Sequence, residues 1–204
     1  MIGAPTSEPS WHEGLRYLLS LRRLSPRVAR FMWRARRHAV RRGDRFSLAS
    51  ATRPAELSAL LALARGRHKV VELGTGTAWT AIALALADSE RRVITYDPVD
   101  PPERGRYLGM VDARVRKRVE LRTEADALGP HVGEVVELLF VDSSHDCESV
   151  VTAFRAWQGA LAPGAIVAFH DYGHPDYPGV REAARQLDLA GHERGGLFVW
   201  RAPS

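Results

Sequence analysis

The sequence contains a single cysteine, Cys147, and no long apolar run. One cysteine cannot form a disulfide within the chain, so an oxidising compartment is not indicated. No run approaches the roughly 20 apolar residues that cross a bilayer, and the first residues lack the apolar core of a signal peptide. We therefore expect a cytoplasmic protein without a transmembrane segment.

Lysine is scarce, so arginine carries almost all of the positive charge, and that charge is unevenly placed. Residues 1–45 contain eleven arginines and three acidic residues, which gives them a net charge of +8 in a chain whose total is +5. Residues 46–204 therefore carry −3. A length of 204 residues suits one α/β domain with an appendage. We predict a basic helical extension over residues 1–45 and one domain over residues 46–204.

The extension has the pattern of two helices. Apolar residues recur at helical spacing over 11–24 and again over 26–42, and Ser25-Pro26 between them is typical of an N-cap followed by a first-turn proline. Gly43-Asp44 would end the second helix, and a third helix is predicted from Ser47 to Arg65.

Three interpretations of the basic helices are open. We favour a cap that packs on the domain with its arginines in solvent. The helices could instead form a dimer contact or cover a substrate. A contact with nucleic acid or an anionic membrane is the third, because basic amphipathic helices serve both. It is disfavoured because aromatic residues are not interleaved with the arginines as base stacking requires.

The stretch from Lys69 to Ala78 organises the rest of the chain. A short apolar run contains Glu72 and ends in Gly74-Thr75-Gly76, and a helical pattern follows at once. That order predicts a buried strand, a tight turn and a helix N-terminus. Glycine permits unusual dihedrals and close approach of a ligand, and the free N–H groups of the helix favour electron-rich groups. The sequence therefore predicts a turn that binds a nucleotide or another cofactor.

The spacing narrows the choice of cofactor. Trp79 occupies the position of the third glycine in the dinucleotide pattern, where it is too large for the close helix–strand contact. No Lys-Ser or Lys-Thr follows the glycines, so the turn is not a P-loop. The Glu72 carboxylate could accept hydrogen bonds from an ammonium group or could organise the turn, and it would repel a pyrophosphate.

Glu72-x-Gly74-x-Gly76 resembles the first motif of class I S-adenosylmethionine-dependent methyltransferases. The resemblance implies that S-adenosylmethionine is the cofactor and that this turn, with Thr75 inside it, cradles the methionine part. Ala78 stands where many members carry a third glycine. An ordinary Rossmann turn with a structural glutamate is the alternative.

Strand patterns alternate with helical ones over the rest of the chain. They cover about 92–97, 118–122, 135–141, 165–169 and 197–200, and the last would pair with residues near His192. This alternation predicts a doubly wound, Rossmann-like α/β fold with a seven-stranded, mostly parallel sheet. Ligands of such sheets bind at the carboxyl ends of strands, and the polar clusters of this sequence fall there.

Two acidic residues extend the predicted cofactor site. Asp97 lies 23 residues after Gly74, at the end of the second strand, where a carboxylate commonly accepts hydrogen bonds from ribose hydroxyls. It could instead cap the loop at Pro98. In the resembling family an acid after the third strand lies near the adenine amino group. Asp126 fits that role, with helix capping as the alternative.

Asp142 and Asp171 end the fourth and fifth strands, which are neighbours in this topology. Paired carboxylates suit a divalent cation such as Mg²⁺, which could hold a substrate hydroxyl and lower its pKa. This arrangement resembles metal-dependent O-methyltransferases, except that His170 stands where an acid often stands. His170 could be a ligand or point into the core, and Asp142 could only cap the next helix.

His145 is the candidate general base, because imidazole titrates near neutral pH. It could instead hydrogen-bond locally at the start of a helix. The segments Leu139–His145 and Leu161–Asp171 are similar to a small bacterial family, methyltransferase domain family 24, over roughly residues 46–201. Ser144 replaces an acid that is common in that family.

The resemblance implies methyl transfer to a small molecule, with the acceptor atom expected to be a hydroxyl oxygen. An RNA or protein methyltransferase that uses the basic arm is one alternative, although no Asn-Pro-Pro-Tyr-type motif follows the fourth strand. A non-catalytic cofactor-binding protein is another. We expect no nucleic-acid partner, and a homodimer through the N-terminal helices is one further expectation.

Overall fold

The computed structural model describes residues 11–204, with side chains from Gly14 onward. The helices of this part are α1 Trp11–Leu21, α2 Pro26–Arg42, α3 Arg45–Ser50, α4 Pro54–Leu63, α5 Trp79–Ala87, α6 Arg104–Leu108, α7 Ala113–Arg116, α8 Cys147–Trp157 and α9 Pro178–Gln186. The strands are β1 Lys69–Leu73, β2 Arg92–Tyr96, β3 Val119–Arg122, β4 Val136–Val141, β5 Leu161–Phe169, β6 His192–Arg194 and β7 Leu197–Arg201. Single 3₁₀ turns cover Asp126–Leu128 and Gln158–Ala160. The part of the predicted extension before Trp11 lies outside the described residues.

The seven strands form one sheet in the order β3-β2-β1-β4-β5-β7-β6. The first five are parallel, β7 is antiparallel to β5, and β6 is antiparallel to β7. The order reverses between β1 and β4, so a crevice opens there at the carboxyl ends of the strands. The predicted doubly wound α/β fold is confirmed, including the pairing of the last strand with residues near His192.

Helices cover both faces of the sheet because each offers an apolar stripe at helical spacing. On one face α8 buries Val150, Phe154 and Trp157 against the strands, as the sequence predicts. On the other face α5 is buried almost all round, because α2 packs over it. The side chains of this second contact are Val28, Phe31, Met32, Ala35 and Ala39 of α2 with Trp79, Ile82 and Ala83 of α5.

The single helix predicted from Ser47 to Arg65 is wrong. The chain forms α3 and α4 with a break before Pro54, because proline lacks the N–H of a helix interior and fits only the first turn. Asp44 does not simply end α2: its carboxylate accepts the Ser47 N–H at 2.9 Å and caps α3. The loop between the two helices borders the site described below.

Two smaller expectations concern α2. Pro26 begins α2 and Gly43 ends it in the left-handed conformation, but the Ser25 side chain makes no capping hydrogen bond. Trp33 is exposed among the arginines of α2, with the Arg37 guanidinium 5.2 Å from its ring centre. One aromatic residue, Trp33, is therefore interleaved with these arginines, which is a single ring and not the series that a base-stacking platform requires.

The α2–α3 segment is tied to the sheet domain by polar contacts as well. The Tyr107 hydroxyl donates to the Asp44 carboxylate at 2.5 Å, and the Arg34 guanidinium donates to the Met110 carbonyl at 3.4 Å. Tyr107 also packs edge-on against Trp79 at 5.1 Å between ring centres. Over residues 11–204 no helix is both long and apolar enough to cross a membrane.

Candidate active site

A cavity of about 660 Å³ opens at the carboxyl ends of the parallel strands. Almost every site residue predicted from the sequence lines it: Gly74, Thr75, Gly76, Asp97, Asp126, Asp142, His145 and Asp171. The exception is Glu72, which lies beneath the turn and is 1 % exposed. The volume is that of a small-molecule site. The topology therefore brings residues that follow five strands, β1 to β5, to one ligand-sized cavity.

Gly74 allows β1 and β4 to meet at the floor of this cavity. Its φ is +97°, which L-residues with side chains rarely adopt, and its N–H donates to the Tyr96 carbonyl at 2.8 Å. A Cβ at this position would lie 2.1 Å from the Asp142 carbonyl oxygen. Only glycine leaves room for the backbone that follows β4.

Asp97 and a buried arginine hold the second glycine. The Gly76 N–H donates to Oδ2 of Asp97 at 2.8 Å, and the Val99 N–H donates to Oδ1 at 2.8 Å. Arg104 is 1 % exposed, donates to the Gly76 carbonyl at 2.9 Å, and lies 3.4 Å from Oδ2 of Asp97. Asp97 thus organises the turn and caps its own loop, and it also lines the cavity. Sequence reasoning missed Arg104, since an arginine in a proline-rich loop gives no signal of burial.

Glu72 connects the turn to β2. Oε2 of Glu72 accepts the Thr95 hydroxyl at 2.6 Å, and the Thr95 and Thr75 hydroxyl oxygens lie 2.7 Å apart. Burial raises the pKa of Glu72 to about 8, and the neighbouring Asp142 and Asp97 carboxylates add to the rise. The carboxyl group is therefore largely protonated at neutral pH in the cofactor-free protein. Its contacts are those of a group that organises the turn.

The raised pKa of Glu72 predicts how stability depends on pH. Native Glu72 keeps its proton up to about pH 8, whereas the unfolded chain loses it near the ordinary value of 4.5. Between these values the free energy of unfolding should fall by about 1.4 kcal/mol per pH unit from this group alone. Glu72→Gln has no such proton, so its free energy of unfolding should rise relative to that of the wild type as pH increases. Urea denaturation of both proteins from pH 5 to 8 measures the difference, and Glu193→Gln on exposed β6 is the control. Parallel curves for wild type and Glu72→Gln would contradict the prediction.

Asp126 lines the cavity beside Ser143, whose backbone packs against Gly74. Its carboxylate accepts the Ser143 hydroxyl, and its carbonyl accepts the Trp157 indole N–H at 2.8 Å. It is the first residue of the 3₁₀ turn Asp126–Leu128, whose N-cap is Ala125, and no side-chain capping hydrogen bond is made at this turn. Because Asp126 also lines the cavity, it is placed for a cofactor contact.

His145 is held by an acid and an aromatic ring. Its Nε2 lies 3.0 Å from Oδ2 of Asp171, and its ring stacks on Tyr177 with 4.1 Å between the ring centres. Tyr177 stacks in turn on His174 at 4.7 Å. Asp171 itself has a φ of +54°, an uncommon value for a non-glycine residue. The backbone after β5 therefore adopts a costly conformation that places the Asp171 carboxylate against His145.

His170 lies between two carboxylates. Its Nδ1 is 3.0 Å from Oδ1 of Asp142 and 3.0 Å from Oδ2 of Asp171, but its N–H is not directed well at either oxygen. Burial alone would lower the pKa of His170, but the Asp142 charge and the contacts with Asp171 and Glu56 raise it to about 12. Burial raises the pKa of Asp142, whereas contacts with His145 and His170 outweigh burial and lower that of Asp171.

The structure decides between several of the alternatives left open. Asp146, and not Asp142, caps α8, because its carboxylate accepts the Ser149 N–H at 2.9 Å. His170 does not point into the core but toward the carboxylates. Burial raises the pKa of the Cys147 thiol, and the thiol faces Gln186 at 3.3 Å, so Cys147 is not an activated nucleophile.

Glu56 is a site residue that sequence reasoning missed. From the first turn of α4 its Oε2 lies 3.3 Å from Nε2 of His170 and accepts the Arg53 N–H at 3.2 Å. The β6–β7 turn covers it, since a Cβ on Gly196 would lie 3.0 Å from Cγ of Glu56. Residues 56 and 170 are far apart in sequence, so no local pattern signals the contact.

Comparison with known proteins places this geometry in a family. A family profile described as a methyltransferase domain, number 24 of that name, matches residues 71–172. No curated protein sequence matches the chain. The fold resembles CalS11, a TDP-rhamnose 3'-O-methyltransferase of calicheamicin biosynthesis, with a TM-score of 0.63 and 21 % identity over 96 % of each chain.

Two further solved structures share the fold. TomG, an O-methyltransferase from Streptomyces achromogenes in complex with S-adenosylmethionine, has a TM-score of 0.55 and 20 % identity over 76 % of this chain and 82 % of its own. A methyltransferase from Geobacter sulfurreducens has a TM-score of 0.61 and 21 % identity over 88 % of this chain and 90 % of its own. The profile match spans half of the chain and contains the glycine turn, Asp97, Asp142 and Asp171. The chain therefore belongs to methyltransferase domain family 24 and is a class I S-adenosylmethionine-dependent methyltransferase.

Proposed function

We propose that this enzyme methylates a hydroxyl group of a small molecule, with His145 as the general base. The observation that carries the proposal is the contact of His145 with Asp171 at the edge of the cofactor cavity. Nε2 of His145 lies 3.0 Å from Oδ2 of Asp171 without a well-directed hydrogen bond. When that contact tightens around bound ligands, as catalytic hydrogen bonds commonly do, the Nε2 proton would go to Asp171 and Nδ1 would be left to accept a proton. An acid that fixes the tautomer of a histidine is the arrangement that general-base catalysis uses.

The residues around the glycine turn fit S-adenosylmethionine. Gly74 and Gly76 leave the main chain open to a ligand, and Asp97 and Asp126 offer carboxylate oxygens to the ribose and the adenine amino group. When bound, the cofactor supplies an electrophilic methyl group on a sulfonium. The protein's part is to align the acceptor oxygen with that group and to remove the hydroxyl proton at His145.

A small acceptor is favoured by the walls of the cavity. Phe46 of α3, Arg53 before α4 and Tyr177 before α9 line it, and Tyr177 stacks on His145. Their side chains combine an aromatic surface with one cation. CalS11 acts on a TDP-linked sugar and TomG takes part in tomaymycin synthesis, and both are named as O-methyltransferases. A hydroxylated small molecule is the acceptor class in keeping with these neighbours.

A divalent cation could assist at the carboxylates. Ligand atoms of Asp142, His170 and Asp171 all lie within 4.8 Å of one another. The buried Nδ1 of His170 has no well-directed hydrogen bond, and a metal could take that position once it has displaced the Nδ1 proton, because a ligating imidazole must be neutral. Two carboxylates and one imidazole suit Mn²⁺ or another nitrogen-accepting metal better than the Mg²⁺ that the sequence suggested. Such a metal would lower the pKa of an acceptor hydroxyl.

Metal binding has a direct test. Titration of the protein with Mn²⁺, followed by electron paramagnetic resonance, should show one saturable site. Asp171→Asn should weaken it at least tenfold, because an amide oxygen carries no charge. Asp146→Asn, at the exposed cap of α8, should leave it unchanged. Equal loss in both variants, or no saturable site, would sink the metal assignment.

Three further proposals concern a macromolecular substrate, a non-catalytic protein and a homodimer, and each has its own test. For an RNA or protein methyltransferase, the exposed α2 arginines would bind the substrate, and RNA binding would depend steeply on salt. A non-catalytic protein would bind the cofactor and transfer no methyl group. A homodimer through α1 would cover Leu15, Leu18 and Leu19, which are 49 %, 49 % and 50 % exposed. Sedimentation velocity would detect that dimer.

Methyl transfer from labelled S-adenosylmethionine to a panel of hydroxylated small molecules tests the proposed function. The panel should include sugar nucleotides and phenols, and matched amines in place of the hydroxyls serve as controls. Labelled ether products with hydroxyl acceptors alone support O-methylation. Label on amines, on RNA or on protein would overturn it.

A further inference from the structure

A second cleft of about 530 Å³ lies at the opposite end of the sheet from the cofactor cavity. It is bounded by Leu86 at the end of α5 and by Arg118 just before β3. Because α5 starts at the glycine turn and runs back along the sheet for nine residues, the two sites are separated by about 13 Å of helix. The cleft is therefore not part of the active site.

Arginines line the cleft from two sides. One face of α2 contributes Arg27, Arg30 and Arg34, which are spaced so that they project in one direction. Arg114 and Arg118 stand on the opposite wall. Among residues 14–204 no carboxylate lies within 4.0 Å of the charged nitrogens of these five side chains. Asp112 is the one acid on the lining, and its Oδ1 accepts the Val115 N–H. The cleft thus carries a strong excess of positive charge.

The Arg118 cation is fixed in place before any ligand arrives. Its Nη1 donates to the carbonyls of Ala85 and Asp88, and its Nε donates to the carbonyl of Arg114 at 3.3 Å. Carbonyl groups hold the side chain without neutralising its charge. Its Nη2 makes no hydrogen bond to any residue from 14 to 204, so it is left to donate into the cleft. A pre-ordered cation lowers the entropic cost of binding an anion.

The floor of the cleft is apolar. Phe31 and Val115, 4 % and 6 % exposed, form it together with the partly buried Leu86 and Val111. Guanidinium groups above an apolar floor match a ligand that has phosphate groups at one end and a flat organic part at the other. The volume is that of a small-molecule site and not of an open nucleic-acid track.

We infer that the cleft formed by α2 and residues 110–118 is a binding site for a small molecule with adjacent phosphate groups, of the nucleoside diphosphate class. Two phosphates would span the arginines of the two walls, and the base would lie on the apolar floor. This site is separate from the acceptor and cofactor positions of methyl transfer.

Isothermal titration with uridine diphosphate and with inorganic pyrophosphate tests the inference, in protein already saturated with S-adenosylhomocysteine. We expect one saturable site for each, with the nucleotide tighter than pyrophosphate, and weaker binding as salt rises. Arg30→Glu and Arg114→Glu should each weaken binding at least tenfold, and Arg30→Ala and Arg114→Ala somewhat less. Arg155→Glu, an exposed arginine of α8, is the matched control and should bind like the wild type.

Thermal unfolding of each variant shows whether it is folded before binding is compared. Absence of a saturable site would overturn the inference. So would equal loss in Arg155→Glu, since that indicates a general charge effect. Binding of single-stranded RNA that depends on Arg30 and Arg114, without binding of the diphosphates, would assign the surface to nucleic acid instead.

Discussion

Gly74→Ala is expected to abolish cofactor binding, with at least a 100-fold loss of affinity for S-adenosylhomocysteine. The added Cβ would lie 2.1 Å from the Asp142 carbonyl oxygen, and the other atoms nearest to it are also backbone atoms of Asp142 and Ser143, so no flexible side chain can move aside. The φ of +97° adds backbone strain for any residue with a Cβ. We also expect the free energy of unfolding to fall by about 3 kcal/mol or more. Calorimetric titration and urea denaturation measure the two effects.

Gly76→Ala is the matched control for this prediction. Its φ of +49° is the left-handed value that alanine tolerates at about 1 kcal/mol, and its nearest atom, the Ser50 Oγ, would be 3.7 Å away. We therefore expect the Gly76 variant to fold and to bind with a modest loss. Equal behaviour of the two variants, or binding by Gly74→Ala within threefold of wild type, would contradict the turn geometry.

His145→Ala is expected to lower kcat by about 10²- to 10⁴-fold once an acceptor is known, because removal of a general base has effects of that size. Affinity for S-adenosylhomocysteine should stay within threefold, since the cofactor turn is built from other strands. A higher pH should rescue part of the rate, because hydroxide or an ionised acceptor can replace the base. Methyl-transfer kinetics over a pH series measure all three expectations.

His192→Ala is the control for the catalytic prediction. His192 is an exposed histidine of β6 and does not line the cavity, so its removal should leave kcat unchanged. A fall in kcat for His145→Ala that is smaller than tenfold would show that alignment alone drives methyl transfer. Loss of cofactor affinity in the same variant would instead give His145 a structural role.

The fold could be predicted because its signals are local. Apolar runs, glycine turns and helical spacing each lie within a few residues, and the doubly wound order follows from their alternation. Local patterns failed where a short segment allowed two interpretations. Ser47 to Arg65 looks helical throughout, but Pro54 ends one helix and begins another, and Asp44 caps the first of them. The fifth strand is predicted over about 165–169, whereas β5 begins at Leu161 and β4 pairs with it through an irregular register.

Only those site residues that lie near the end of a strand could be predicted from the sequence. Asp97, Asp142 and Asp171 follow apolar runs, so topology places them at one edge of the sheet. Glu56 and Arg104 come from helices whose side-chain directions depend on tertiary packing, and sequence spacing carries no such information. The proposed metal donor set now includes His170, because the orientation of its ring depends on Asp142 and Glu56, which lie far from it in sequence.

The turn between β6 and β7 gives this enzyme an order of assembly during synthesis. Gly195 and Gly196 fit against Ala59 and Glu56, so residues near the end of the chain close over a helix made early. His170 is held by that same Glu56. The histidine cluster therefore reaches its final geometry only after residues 195 and 196 have been synthesised, later than every residue of the glycine turn. A shorter nascent chain can contain all of the glycine turn and still lack the contact that covers Glu56 beside His170.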